Sequence, residues 1–263
     1  MNAAMLNTAV RAARNAGNLI KRYVDRTDLL KVSQKQPNDF VTEVDKLSEQ
    51  EIIGTLSEAY PDHAFYAEES GQHNTGDEDR PMWIIDPLDG TTNFIHGIPQ
   101  FAISIGMQAA GHLQVGVIYD PVHDELFTAT RGDGAKLNNR RLRINPDTRL
   151  QGSLIATGFP YYQYHYLDHY LAILREVITK TSGVRRPGSA ALDLAYTAAG
   201  RFDGFWEFNL QAWDIAAGTL LIQEAGGIVT DTDGGHDYLK TGNMLCGPPR
   251  VHQELLDIIR TVT

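Results

Sequence analysis

The chain has 263 residues, 42% of them hydrophobic and 21% charged, which fits a globular protein of one large domain or two intimate ones. With 23 Lys and Arg against 33 Asp and Glu, its net charge of −10 does not attract nucleic acid in bulk. A single cysteine, Cys246, excludes an internal disulfide, and no apolar run is long enough to cross a membrane; a cytoplasmic protein is expected.

Residues 1–24 carry Arg11, Arg14, Lys21 and Arg22 and no acid, which mimics a transit peptide. Yet Leu6, Val10, Ala13, Ala16, Ile20 and Val24 recur at helical spacing, so a helix of the fold is predicted over 3–25. A second helix over 43–59 carries Val44, Leu47, Ile52 and Leu56 and stops before Pro61. Short strands follow near 64–67 and 82–85. A longer β region covers 101–108, 113–119 and 125–130, with Gly111-His112 as a hairpin turn. The second half alternates: a strand near 153–158, a helix near 165–181, a strand near 184–186 and a helix near 190–199. Then come a strand near 203–208, a helix near 214–225, strands near 228–231 and 243–246, and a helix near 249–261. Such a mixture implies sheets covered by helix layers.

The richest stretch is Trp83-Ile84-Ile85-Asp86-Pro87-Leu88-Asp89-Gly90-Thr91-Thr92-Asn93. An apolar strand delivers two carboxylates, and residues suited to a helix start follow. Paired acids hold a hard cation and a helix N-terminus holds a phosphate, which points to metal-assisted phosphate chemistry. Read alone, the segment is equally a strand–turn–helix junction.

Other acids are placed alike. Glu68 and Glu69 leave the short strand 64–67. Asp214 follows Trp213 before Ile215-Ala216-Ala217-Gly218; its plain role is a helix N-cap, and Ala217-Gly218 permits close packing. Glu207 lies in Phe205-Trp206-Glu207-Phe208, where alternation turns a charge to solvent. Gly188-Ser189-Ala190 opens another helix, a second phosphate or hydroxyl contact. Arg185 and Arg186 read as solvated surface. His165 and His169 stand four apart but lack the partners of a zinc site. Cys246, beside Met244 and Leu245, reads as a buried small side chain.

Glu68-Glu69-Ser70, the Asp86–Asn93 run and Trp213–Gly218 together resemble the inositol monophosphatases in order and spacing. Gly226-Gly227 and Asp39-Phe40-Val41-Thr42-Glu43-Val44-Asp45 fit as well, so the likeness covers essentially the whole chain. The segment Arg185–Ala195 looks most like the family's bacterial SuhB branch. The resemblance implies a mixed α/β (α+β) fold, the layered αβαβα sandwich, as one domain over 1–263 with subdomains of about 1–140 and 141–263. It implies Mg2+ held by Glu68, Asp86, the Leu88 carbonyl, Asp89 and Asp214, with inhibition by lithium. Glu68, and Thr91 backed by Asp45, would position a metal-activated water. Gly90 and Thr91 would donate N–H bonds to phosphate, and Gly188, Ser189, Ala190 and Glu207 would meet the inositol hydroxyls. A lysine near the site would be Lys31 or Lys35.

The implied reaction is hydrolysis of myo-inositol monophosphate, a phosphate monoester, by a homodimer without membrane attachment. The competing enzyme is a sibling phosphatase of fructose bisphosphate or phosphoadenosine nucleotides. The competing non-enzyme is a regulator, because the SuhB branch also resembles proteins that join antitermination complexes with Nus factors and RNA polymerase.

Overall fold

The computed structural model describes residues 2–24, 26, 32–36, 39–75, 80–161 and 164–262. Two helices, α1 (Asn2–Lys21) and α2 (Glu43–Ala59), flank a hairpin of β1 (Val32–Gln36) and β2 (Asp39–Thr42). α2 matches its predicted span and α1 ends four residues before the predicted 25, and the buried faces differ from the periodic pattern. α1 buries Met5, Ala9, Ala12, Ala13, Ala16 and Ile20, with Leu6 and Val10 at the rim. In α2, Leu47 is 39% exposed, and Ser48 and Glu49 take the buried positions instead.

The first large sheet is built from β3 (Ala64–Ala67), β4 (Gly71–His73), β5 (Met82–Asp89), β6 (Ala102–Ala109), β7 (His112–Asp120), β8 (Glu125–Thr130), β9 (Gly134–Leu137) and β10 (Arg140–Arg141). Its order is β10-β9-β8-β7-β6-β5-β3-β4, and only β3 and β5 run parallel. The five-residue α3 (Thr91–Ile95) follows β5. The β6–β7 turn is Ala110-Gly111, one residue earlier than predicted, because Ala109 pairs with His112. Both turn residues have positive φ (49° and 72°), as a two-residue hairpin turn of this hand requires.

The second sheet takes β11 (Leu154–Thr157), β12 (Gly183–Arg185), β13 (Gly204–Glu207), β14 (Ile228–Thr230) and β15 (Met244–Gly247) in the order β12-β11-β13-β15-β14. Between these strands run α4 (Leu167–Lys180), α5 (Ala190–Ala198), α6 (Ala212–Ala225) and α7 (Tyr238–Thr241), and α8 (Pro249–Thr261) closes the chain.

Three cores define the layers. α1 and α2 cover the outer face of the first sheet, around Ile52, Trp83 and Ile105. α5 and α6 fill the space between sheets, where Leu194 and Leu221 join Ile118 and Phe205. α4 and α8 cover the outer face of the second sheet, around Val177, Trp206 and Leu255. The result is the expected αβαβα sandwich. Its middle layer is thin because α6 lies directly on glycines. A Cβ on Gly106 would stand 2.9 Å from the Ala216 Cβ, and one on Gly116 would stand 2.8 Å from the Ala217 carbonyl oxygen. No helix among the described residues is long and apolar enough to cross a membrane.

Candidate active site

Asp86 and Asp89 are three residues apart and would face opposite ways on a regular strand. The pairing of β5 with β6 slips between them: Asp86 pairs with Ser104 and Asp89 with Ala102. Pro87, which has no N–H for the ladder, sits in this bulge. The extra residue turns both acids to one side. Asp214 meets them from the first turn of α6, which Ser104 anchors by donating its hydroxyl to the Trp213 carbonyl at 3.0 Å. One carboxylate oxygen from each of Asp86, Asp89 and Asp214 lies within 4.8 Å of the others.

Each acid is held by local backbone. Asp86 Oδ1 accepts the Leu88 N–H at 2.9 Å. Asp89 Oδ2 accepts the Ser189 hydroxyl at 2.6 Å and the Ala191 N–H at 2.7 Å. Ser189 is the N-cap of α5 and accepts the Leu192 N–H at 3.3 Å. Its single proton therefore goes to Asp89. Asp214 is not the N-cap of α6, contrary to the sequence expectation. Gln211 is, and Asp214 reaches back from the third helical position to accept the Gln211 N–H at 2.7 Å.

One face of α2 frames the site. Asp45, Ser48 and Glu49 form a buried stripe at i, i+3 and i+4. Asp45 Oδ1 accepts the Thr91 hydroxyl at 2.8 Å. Ser48 donates to the Pro87 carbonyl at 2.9 Å. Glu49 Oε2 accepts the Glu69 N–H at 2.8 Å. Three stretches that carry site residues are thus tied to one helix. Sequence reasoning missed Ser48 and Glu49; the readable signal was two polar residues one turn after Asp45.

The crowding of these acids suits a cation. Burial, then the charges of Glu68, Asp89 and Asp214, push the Asp86 pKa well above its usual value. Burial, then Asp89, does the same to Asp214. Burial raises Asp89 to about 6, against the lowering bonds from Ser189 and the α5 N–H groups. Crowded carboxylates form an all-oxygen donor set that fits a hard divalent ion. Glu68 and Leu88 border the same cleft; Glu68 stands outside the tight group of three, but its charge reaches Asp86 and Asp214.

The cleft measures about 950 Å³, and Gly90, Thr91, Gly188, Ser189 and Ala190 also line it. Glu207 faces this cleft, not bulk solvent, and burial raises its pKa to about 8. Its carboxylate fills the space beside Gly158, where a Cβ would stand only 1.8 Å from Glu207 Oε1. Arg186 is not plain surface. Its guanidinium lies 5.5 Å over the Phe159 ring and 4.8 Å over the Tyr161 ring at the cleft wall. Arg185 is exposed and bonds only the Val184 carbonyl among the contacts described. His165 packs on Tyr166 and His169 on Phe208, and neither joins the group of three aspartates. Cys246 is buried, and burial pushes its thiol pKa up. Lys31 lies outside the described residues, as does the side chain of Lys35.

The family model described as the inositol monophosphatase family matches residues 1–262. Nus factor SuhB of Pseudomonas aeruginosa is 51% identical over 259 residues, 97% of this chain and 96% of that protein. The crystal structure of extragenic suppressor protein SuhB from Bartonella henselae superposes with a TM-score of 0.94 at 47% identity, covering 98% of both chains. Inositol monophosphatase from Anabaena superposes with a TM-score of 0.85 at 39% identity, covering 99% of this chain and 96% of that one.

Proposed function

This chain belongs to the inositol monophosphatase family, and on that premise we propose that it hydrolyses myo-inositol monophosphate with Mg2+. The observation that carries this reading is the convergence of Asp86, Asp89 and Asp214 in a cleft that Glu207 also lines. Asp86, Asp89, Asp214, Glu68 and the Leu88 carbonyl would hold the ions. An ion held there would supply Lewis-acid charge for the phosphate and the departing oxygen and would lower the pKa of a bound water.

The chain's own groups do the rest. The N–H groups of Gly90 and Thr91 bind phosphate oxygens. The Thr91 hydroxyl has two acceptors in reach, Asp45 at 2.8 Å and the Leu88 carbonyl at 3.0 Å. A carboxylate is the stronger acceptor, so the proton goes to Asp45 and the Leu88 carbonyl keeps its lone pairs for a cation. Thr91 then accepts a hydrogen bond from the attacking water and aims it. Glu68 helps place that water. Gly188, Ser189, Ala190 and Glu207 face the leaving alcohol. Ser189 has given its proton to Asp89, so it offers the alcohol an acceptor only.

A buried carboxyl such as Glu207 suits hydroxyls better than a second phosphate, which favours inositol monophosphate over bisphosphate substrates. The test is a panel of phosphomonoesters with and without Mg2+. Fastest turnover on a bisphosphate, or full activity after exhaustive chelation, would defeat the reading.

A second role is supported by the 51% identity to a protein named Nus factor SuhB: partnership with the transcription machinery, Nus factors and RNA polymerase. Asp214→Asn should lose phosphatase activity and keep such partners in a pull-down with purified components.

A further inference from the structure

Asp193 is 1% exposed in α5 and borders the cleft. Its Oδ1 is closed off from solvent and has no hydrogen-bond partner among the described residues. A buried carboxyl oxygen without a partner is destabilising, so its retention needs a reason other than stability. The helix neighbours Leu192 and Leu194 are fully buried, and an apolar side chain would suit this layer equally well.

The surroundings add to the cost. Glu207 on β13 and Asp89 on β5 push the same way as burial, raising the Asp193 pKa well above its usual value; Arg186 opposes them. Cys246 on β15 feels the Asp193 charge from the far side. Neither Asp193 nor Glu207 belongs to the three-aspartate group, and Arg186 is the cation whose charge reaches both. No described residue supplies a partner to Asp193 Oδ1, and the cleft that Asp193 borders is the side from which one can come.

We propose that Asp193 is a specificity-determining residue of the leaving-alcohol end, forming with Glu207 a two-carboxyl floor for the hydroxyl groups of a polyol. The proposal rests on the phosphatase reading above. Neighbouring hydroxyls on one ring each donate and accept, and two adjacent carboxyls offer them both kinds of partner. A nitrophenyl leaving group offers this floor no hydroxyl.

The test compares Asp193→Leu and Asp193→Asn with the wild type on inositol 1-phosphate and on nitrophenyl phosphate, with thermal midpoints. Asp193→Leu should be as stable as the wild type or more so. Its KM for inositol 1-phosphate should rise about tenfold to hundredfold, the size of leaving a buried hydroxyl without its partner, while nitrophenyl phosphate is largely spared. Asp193→Asn keeps amide donors and an acceptor and should recover most of the loss. Equal losses on both esters, a lowered midpoint, or unchanged inositol phosphate kinetics would each overturn the proposal. A wild type that hydrolyses neither ester defeats the phosphatase reading instead. The floor is then read from the thermal shift on free myo-inositol with Mg2+. The wild type should show that shift and Asp193→Leu should lose it; no shift in the wild type overturns the floor as well.

Discussion

The Thr91 hydroxyl donates to Asp45 Oδ1 at 2.8 Å, joining the start of α3 to the first turn of α2 across 46 residues of sequence. The other oxygen of Asp45 is committed to its own helix, accepting the Thr42 N–H at 2.8 Å within a capping box. This carboxylate is thus fixed before any substrate arrives, and it fixes Thr91. If Thr91 aims the water, Thr91→Ala and Asp45→Asn should each lower turnover strongly. The double variant should be little worse than either single, because the pair acts as a unit. Losses that multiply, or a change in thermal midpoint alone, would make Thr91 a plain helix-start residue with a stability role of about 1 kcal/mol.

Asp89 has two jobs in different oxygens. Oδ2 caps α5 through Ser189 and Ala191, which leaves Oδ1 for a cation. Asp89→Asn should cut Mg2+-dependent turnover by orders of magnitude. It should also lose about 1 kcal/mol of stability, since the amide oxygen still accepts but without charge. Binding is checked by calorimetry with Mg2+, where the wild type gives a saturable signal that the variant lacks. Equal Mg2+ affinity in both proteins would remove Asp89 from the ligand set.

Glu207→Gln should weaken inositol 1-phosphate by about threefold to tenfold, the worth of one neutral hydrogen bond, and largely spare nitrophenyl phosphate. Parallel losses on both substrates would place Glu207 in the chemistry or the framework.

The same residue sets a pH trend. Its pKa rises from 4.5 to about 8 on folding, so between those values the folded chain holds a proton that the unfolded chain releases. Stability therefore falls as pH climbs through that window and levels off above it. Glu207→Gln removes this contribution. Its advantage over the wild type should be absent at the acid end of the window and grow to the order of a few kcal/mol near pH 8. Denaturant midpoints at stepped pH measure the gap; a constant gap would mean Glu207 is not held neutral in the fold.

Close contact of α6 with the first sheet gives a stability prediction. Gly116→Ala drives a methyl to 2.8 Å from the Ala217 carbonyl oxygen, so α6 must lift. A loss of about 1–3 kcal/mol is expected, with reduced turnover because Asp214 rides on the same helix. Gly54→Ala is the contrast: it meets nothing within 4 Å in the middle of α2 and should gain about 0.5–1 kcal/mol. Equal midpoints for the two variants would contradict the packing.

The sequence by itself determined the long elements and the acids. α2, β3, β8 and α8 have the predicted bounds: the helices carry several turns of a clear apolar period, and the two strands are short runs closed off by turn residues. β1, β2, β4, β9, β10 and α7 went unpredicted, since two to five residues cannot express a period, whereas the start of α3 was legible from its cap residues. The acids of Asp86-Pro87-Leu88-Asp89 were legible as a pair, but their shared face was not. Alternation alone would separate them, and only the bulge against Ser104 and Ala102 brings them together. Likewise, spacing assigned Leu47 to the core, whereas tertiary packing buried Ser48 and Glu49 there to hold the Pro87 turn and the Glu69 backbone. Glu207 and Asp193 were decided last and furthest from sequence. Whether a charged side chain in a strand or helix meets solvent or a cleft depends on what the opposite sheet leaves open, and Gly158 leaves that space. Local periodicity reports which residues share a face; it does not report what lies across from that face.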